Sequence, residues 1–330
     1  MKKSIIALSL LSVSQTGYAV ENGKPELASE FPSLVTMNCT GTIIAGKWVM
    51  TAAHCNENFV DLVGSESHNG SKSISVKRRI KHDEADFALW ELTEPSLFNK
   101  ALFLSRIHVS NDKYQRFNLY GFGQTGIQLN SAEYKVFGDF TSPEILDLEA
   151  TSLSNSIPGD SGSPIINSNG KIIATHKGAN AENISTSRIS YVADFILSTI
   201  DGWHHQTIGT VAAGKSTTIE VQSLHVNPVI DSASRTGDID IDVANSSCIA
   251  NGEQIQPFQT CTYTVTSTNG YEGTLLLGEG HTVIFNKGKS EPVIPPTPTP
   301  DEGGSSGGSL GFLSLLGLGI FSFVRRRTTV

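Results

Sequence analysis

The chain has 330 residues, 38% of them hydrophobic and 17% charged, with a formal net charge of −8. That length accommodates two domains or one large domain with appendages, and the apolar content is ordinary for a folded globular protein. The acidic balance argues against a nucleic-acid partner, which needs a basic footprint, and the one basic run, KRRIK at Lys77 to Lys81, reads as a solvated strand face.

In chain order, the first segment is MKKSIIALSLLSVSQTGYA, with two lysines, an apolar stretch from Ile5 to Val13 and small residues at Gly17 and Ala19. It reads as a secretory signal peptide over residues 1–19, cleaved after Ala19, and its apolar stretch is too short for a bilayer anchor. Four cysteines suit an oxidising, exported setting. Three pairings are possible, and spacing favours Cys39 with Cys55 and Cys248 with Cys261. Each would close a loop of about 15 residues, worth on the order of 3 kcal/mol. No CxxC occurs, so a zinc site is not expected, and nothing in the chain points to another metal or a cofactor.

Residues 20–205 carry short apolar runs separated by Gly, Asn and Ser, among them GTIIAG, WVMTAA, FALWEL, FNLYGFG and PIINSNGKIIATHKG. Many short strands with frequent turn signals predict an all-β barrel or sandwich. One helical pattern interrupts them near the end, ISYVADFILSTIDGW, with Val192, Phe195, Ile196 and Ile200 on one face.

Within this region, PGDSGSP spans Pro158 to Pro164. Its small polar residues suit a plain turn, but they also suit an exposed nucleophile at Ser161. A serine hydroxyl is a poor nucleophile unless a base takes its proton and a carboxylate orients that base. TAAHC supplies His54 and DFALWEL supplies Asp86, with Asp83 as the rival carboxylate; Asp86 is preferred because it opens the apolar strand. The order His, Asp, Ser is one of the known arrangements of such a triad.

With these motifs in hand, residues 20–205 resemble a trypsin-like serine protease with the chymotrypsin double β-barrel. CTGTIIAGKWVMTAAHC is similar to the disulfide loop that closes after the catalytic histidine, YGFGQTG to a strand of the second barrel, and YVADFILSTI to the terminal helix. The resemblance implies that Ser161 attacks, His54 shuttles the proton, Asp86 holds the imidazole, and the N–H groups of Gly159 and Ser161 form an oxyanion hole. It also implies an activation pair between a free Val20 ammonium and Asp160, with no separate propeptide. Pro158 stiffens the loop before the oxyanion glycine. The cysteine pairs common around the specificity pocket of animal relatives are missing. The resemblance puts Asn155 at the floor of the substrate pocket, so a basic preference loses its charge partner. Ser156 and His176 match positions that glutamyl endopeptidases of the same fold use, which implies cleavage after acidic residues and a dependence on pH between about 5 and 8. The alternatives are an Arg/Lys-specific protease, with His176 an ordinary strand residue, or a non-catalytic surface adhesin on a protease fold.

Residues 206–288 are again strand-like and of a length that suits a small immunoglobulin-like β-sandwich stapled by Cys248 and Cys261. A Pro/Gly/Ser linker follows over 289–309, stiff in its PVIPPTPTP part and flexible in its glycines. Residues 310–330 hold a short apolar stretch ending in Arg325, Arg326 and Arg327, a short transmembrane segment with its arginines on the cytoplasmic side. This tail resembles the GlyGly sorting signal of Gram-negative bacteria. That implies export through the periplasm, type II secretion to the medium or cell surface, a rhomboid-type sorting protease as partner, and membrane contact through the tail, in addition to protein or peptide substrates.

Overall fold

The structure is a computed structural model that describes residues 20–109, 114–138, 142–180, 183–249 and 252–292. The expected signal peptide, most of the linker and the whole apolar tail lie outside the described residues. Among the described residues, no helix is long and apolar enough to cross a membrane.

Two barrels follow from the alternating runs. In the first, Leu34–Thr36, Thr40–Ile44, Trp48–Thr51, Ala88–Leu92, Ser73–Lys81 and Phe59–Leu62 pair in that order and close on themselves. Every pairing is antiparallel. Closure leaves no edge strand, and Val35, Ile43, Val49, Val60, Leu62 and Trp90 fill the interior. The second sheet runs Lys24–Glu26, Leu129–Val136, Arg116–Gly121, Pro164–Asn167, Ile172–Asn180, Asn183–Arg188 and Ile145–Ala150. Its last strand pairs back to Leu129–Val136, giving a second barrel around Phe117, Leu119, Leu146, Leu148, Ile165 and Ile184.

The expected helix spans Ile189–Ile200 and is the one α-helix among the described residues. Ile189, Val192, Ala193, Ile196 and Leu197 form its buried face, while Phe195 and Ile200 lie at the margin. That face packs into a shared core with Leu34, Met50, Phe87 and Leu89 of the first barrel and Phe122 and Leu129 from the second. Asp201 closes the helix in the left-handed conformation, its N–H bonded to the Leu197 carbonyl.

Beyond the helix, Gly202–His205, Lys215–Leu224, Thr260–Ser267 and Asp240–Ile241 form one four-stranded sheet. Ile208–Gly209, His281–Phe285, Gly273–Gly278 and Ser234–Gly237 form another. Both sheets feed a common core of Trp203, Val221, Tyr263, Val265, Leu275, Val283 and Phe285. The strand Gly202–His205 pairs with this second unit although it precedes residue 206. Buried Gln222 ties the second unit to the first, accepting from the Leu104 N–H at 3.0 Å and donating to the Leu104 carbonyl at 2.8 Å. Disulfides join Cys39 to Cys55 and Cys248 to Cys261.

Candidate active site

Strand register brings the first two groups together. Thr51 pairs with Ala88, so His54, three residues past one strand, meets Asp86, two residues before the other. Buried Phe87 and the Cys39–Cys55 bridge anchor the two turns. His54 Nδ1 lies 2.8 Å from Asp86 Oδ2, and the His54 backbone N–H donates to Asp86 Oδ1 at 3.0 Å. A carboxylate can only accept, so His54 Nδ1 is the donor in this contact. His54 is half exposed and Asp86 only 18% exposed, so the ring faces solvent while its partner is sheltered. Asp83, the rival carboxylate, is exposed and is not part of this contact.

Ser161 sits on the loop that leads into Pro164–Asn167. The loop is held to the first barrel: the Thr40 N–H donates to the Ser161 carbonyl at 2.8 Å and Thr40 Oγ1 donates to the Gly159 carbonyl at 3.0 Å. Gly162 has φ +85, and a Cβ there would lie 2.1 Å from Thr51 Oγ1, so only glycine lets the loop rest on the strand that leads to His54. Gly159 has φ +100, and a Cβ would strike the Gly123 carbonyl oxygen at 2.2 Å. The N–H groups of Asp160, Gly162 and Ser163 bond to the carbonyls of Ile157, His176 and Asp160. Among the described residues, those of Gly159 and Ser161 donate to no protein acceptor, leaving two amides for a ligand oxygen.

Asp160 is fully buried. Its Oδ1 accepts from the Gly123 N–H at 2.9 Å and its Oδ2 from the Ile157 N–H at 2.9 Å. The buried Val20 contributes a further backbone N–H. Burial pushes the Asp160 carboxyl up from 3.8 to about 6, against the pull of the three backbone donors. The residues after Val20 are zipped to the loop before the serine. The Asn155 N–H donates to the Glu21 carbonyl at 2.9 Å, Ser154 Oγ donates to the Asn22 carbonyl at 2.9 Å, and Asn22 Nδ2 donates to the Leu153 carbonyl at 3.2 Å. Sequence reasoning missed Ser154 and Glu21, because no local pattern marks a contact spanning some 130 residues.

Asn155 and Ser156 are partly exposed, while His176 is buried on the strand Ile172–Asn180. Ser156 Oγ and His176 Nε2 are 2.7 Å apart. Burial, reinforced by the nearby His54 and only partly offset by the Ser185 backbone and Asp86, lowers His176 from 6.5 to about 4. Its ring is therefore neutral over the range in which the sequence led us to expect titration. The cause is desolvation, which the residue pattern does not reveal.

A cavity of about 550 Å³ adjoins Gly159, and its walls include Met37, Glu57, Phe59, Asp61 and Gly123. Cys39, His54 and Cys55 bring potential ligand atoms within 4.8 Å of one another, but both sulfurs are consumed in the disulfide.

Paired barrels with the His54–Asp86 contact and the Ser161 loop where they meet are the architecture of the chymotrypsin-like fold. The trypsin family profile matches residues 25–196. Trypsin 5G1 of Aedes aegypti is 27% identical over 164 residues, and a trypsin of Simulium vittatum is 34% identical over 121. These matches cover 40% and 30% of this chain and 62% and 49% of the two relatives. The VesB protease of Vibrio cholerae aligns with a TM-score of 0.45 at 15% identity, over 81% of this chain and 99% of its own. The chain belongs to the trypsin family of serine proteases.

Proposed function

We propose that the chain is an exported serine endopeptidase that cleaves peptide bonds through an acyl-enzyme, with His54, Asp86 and Ser161 as its catalytic groups. The observation that carries this reading is the 2.8 Å His54–Asp86 contact, which would leave Nε2 free to serve as the base toward Ser161. In this mechanism Ser161 Oγ attacks the scissile carbonyl carbon and its proton passes to His54 Nε2. Asp86 stabilises the imidazolium. The carbonyl oxygen becomes an oxyanion facing the amides of Gly159 and Ser161, where losing one such donor typically costs about 10²–10³ in rate. His54 then protonates the leaving amine, and a water, deprotonated by the same nitrogen, releases the acid.

Val20 and Asp160 form the activation pair in this account. Cleavage after Ala19 would turn the Val20 amide into an ammonium beside a buried carboxylate that already bonds to it. The glycyl amide shares its loop with Asp160, so the pair would fix the oxyanion hole.

At the substrate pocket, Asn155 supplies no charge and the Ser156–His176 contact supports acidic residues before the cut. Neutral His176 can donate Nε2–H to Ser156 Oγ, which frees the hydroxyl proton for a substrate carboxylate. Export and surface attachment rest on residues 1–19 and 310–330, and residues 206–288 would serve as a spacer or stabilising module.

An active-ester substrate tests the proposal. A burst of one product equivalent per chain, followed by slower turnover, is expected, and its loss in Ser161→Ala. Turnover without a burst that survives Ser161→Ala would refute it.

A further inference from the structure

We propose that Thr40 is a positioning residue for the oxyanion hole: its buried hydroxyl fixes the peptide plane after Gly159 and so aims the Gly159 amide. The inference rests on the protease reading and adds to it a group that reacts with nothing itself.

The geometry comes from one side chain bonded twice. Thr40 opens the strand Thr40–Ile44 and is fully buried. Its Oγ1 donates to the Gly159 carbonyl at 3.0 Å and accepts from the Phe122 N–H at 3.1 Å. The hydroxyl therefore ties the nucleophile loop to the Phe122–Gly123 turn. Asp160 ties the same two segments by a second bond, accepting from the Gly123 N–H at 2.9 Å. Thr40 also grips the loop beyond Asp160, its N–H donating to the Ser161 carbonyl at 2.8 Å. Any residue can make that backbone bond; only the hydroxyl depends on the side chain. Thr42, two residues along the same strand, is equally buried, yet its hydroxyl has no partner among the described residues. A threonine buried on this strand is thus not bonded as a matter of course. The bonds of Thr40 follow from where the loop lies.

These bonds matter because Gly159 cannot orient itself. Its φ of +100 is one that glycine tolerates, and without a Cβ its flanking peptide planes turn easily unless they are bonded. The plane between Gly159 and Asp160 is held at both ends. Thr40 Oγ1 holds the carbonyl, and the Ile157 carbonyl accepts the Asp160 N–H at 3.0 Å. On the other side of Gly159, the ring of Pro158 fixes its own φ. Between these two constraints the Gly159 N–H is left pointing at no protein acceptor among the described residues. Without the hydroxyl, the Gly159 carbonyl and the Phe122 N–H both lose this partner, and the loop is driven to rotate toward others. An amide turned away from the oxyanion stabilises the transition state less, while binding of the uncleaved peptide is untouched.

The test compares Thr40→Val, which keeps the side-chain shape and drops the hydroxyl, with Thr40→Ser, which keeps the hydroxyl. Both are made in the chain that starts at Val20, and kcat and KM are measured on a peptide that the wild type cleaves. Thr40→Val is expected to lower kcat by about 10- to 100-fold, less than a deleted oxyanion donor costs, with KM within about twofold. Binding of a peptidyl boronate, which forms a tetrahedral adduct on Ser161, weakens by the same factor, while binding of the peptide acid product does not change. Thr40→Ser returns kcat to within about threefold of wild type. A merely structural threonine would lower stability and leave kcat of the folded chain unmoved. That result, an equal loss of product binding, or Thr40→Ser as slow as Thr40→Val overturns the inference and leaves the protease reading standing. If Thr40→Val does not fold, Thr40→Ala against Thr40→Ser reads the same difference. A wild-type chain that cleaves nothing and takes up no serine-directed probe overturns both.

Discussion

Adding one residue ahead of Val20 isolates what the Val20–Asp160 contact contributes. With an amide at Val20, Asp160 is a buried carboxylate raised from 3.8 to about 6. That rise corresponds to roughly 3 kcal/mol of unfavourable ionisation. The folded value lies above the unfolded one, so the stabilisation is fully present below about 3.8 and is lost as pH rises through about 6. A chain that starts at Val20 places an ammonium at the same nitrogen, and the buried pair offsets the desolvation of both partners. The extended chain is therefore expected to lose on the order of 3 kcal/mol, relative to the Val20 chain, between about pH 4 and about pH 7. Urea unfolding of both forms across that range measures the difference, with the rate of fluorophosphonate labelling followed in parallel. The extended form should label slowly, and Asp160→Asn in it should remove the pH dependence. A stability difference between the two forms that does not change with pH would refute the reasoning.

Three further outcomes follow from the same structure. Asp86→Asn leaves the fold intact but lowers kcat by about 10⁴-fold, because the imidazole loses the partner that keeps its proton on Nδ1; steady-state kinetics on a peptide substrate checks this. Burial raises Glu91, but bonds from Lys47, Arg78 and Lys77 outweigh it and bring the carboxyl to about 2. The wild type should thus exceed Glu91→Gln in stability by roughly 1–3 kcal/mol above about pH 4.5, discounted for its half-exposed partners, and the gap should close as pH falls through about 2; thermal unfolding against pH measures it. Because His176 sits at about 4, the ratio of kcat/KM for a Glu over a Gln peptide should stay flat between about pH 5.5 and 8; an inflection near 6.5 would contradict a buried neutral ring.

The His54–Asp86 contact was legible because the chemistry proposed for it needs particular residue types in short local frames. TAAHC, DFALWEL and GDSGSP each place one reactive group at the end of an apolar strand, and register then brings His54 to Asp86. The disulfides and the helix were legible for a similar reason, since spacing and a repeating apolar face are local properties. What escaped was set by contacts distant in sequence. The zipper between residues 21–22 and 153–155 joins polar groups that no pattern distinguishes. The acid-lined cavity arises because Phe59 and Asp61 alternate outward on one strand while the Gly123 and Gly159 turns approach from the other barrel. His176 looks like any strand histidine until its burial is known, and burial alone removes its charge near neutrality.

The central claim is that Ser161 is an activated nucleophile. Incubating the Val20 chain with a fluorophosphonate and mapping the adduct by mass spectrometry tests it most directly. One adduct per chain on Ser161 is expected, lost in Ser161→Ala and slowed severely in His54→Ala. A folded Val20 chain that takes up no probe, or an adduct on another serine that survives Ser161→Ala, would contradict it.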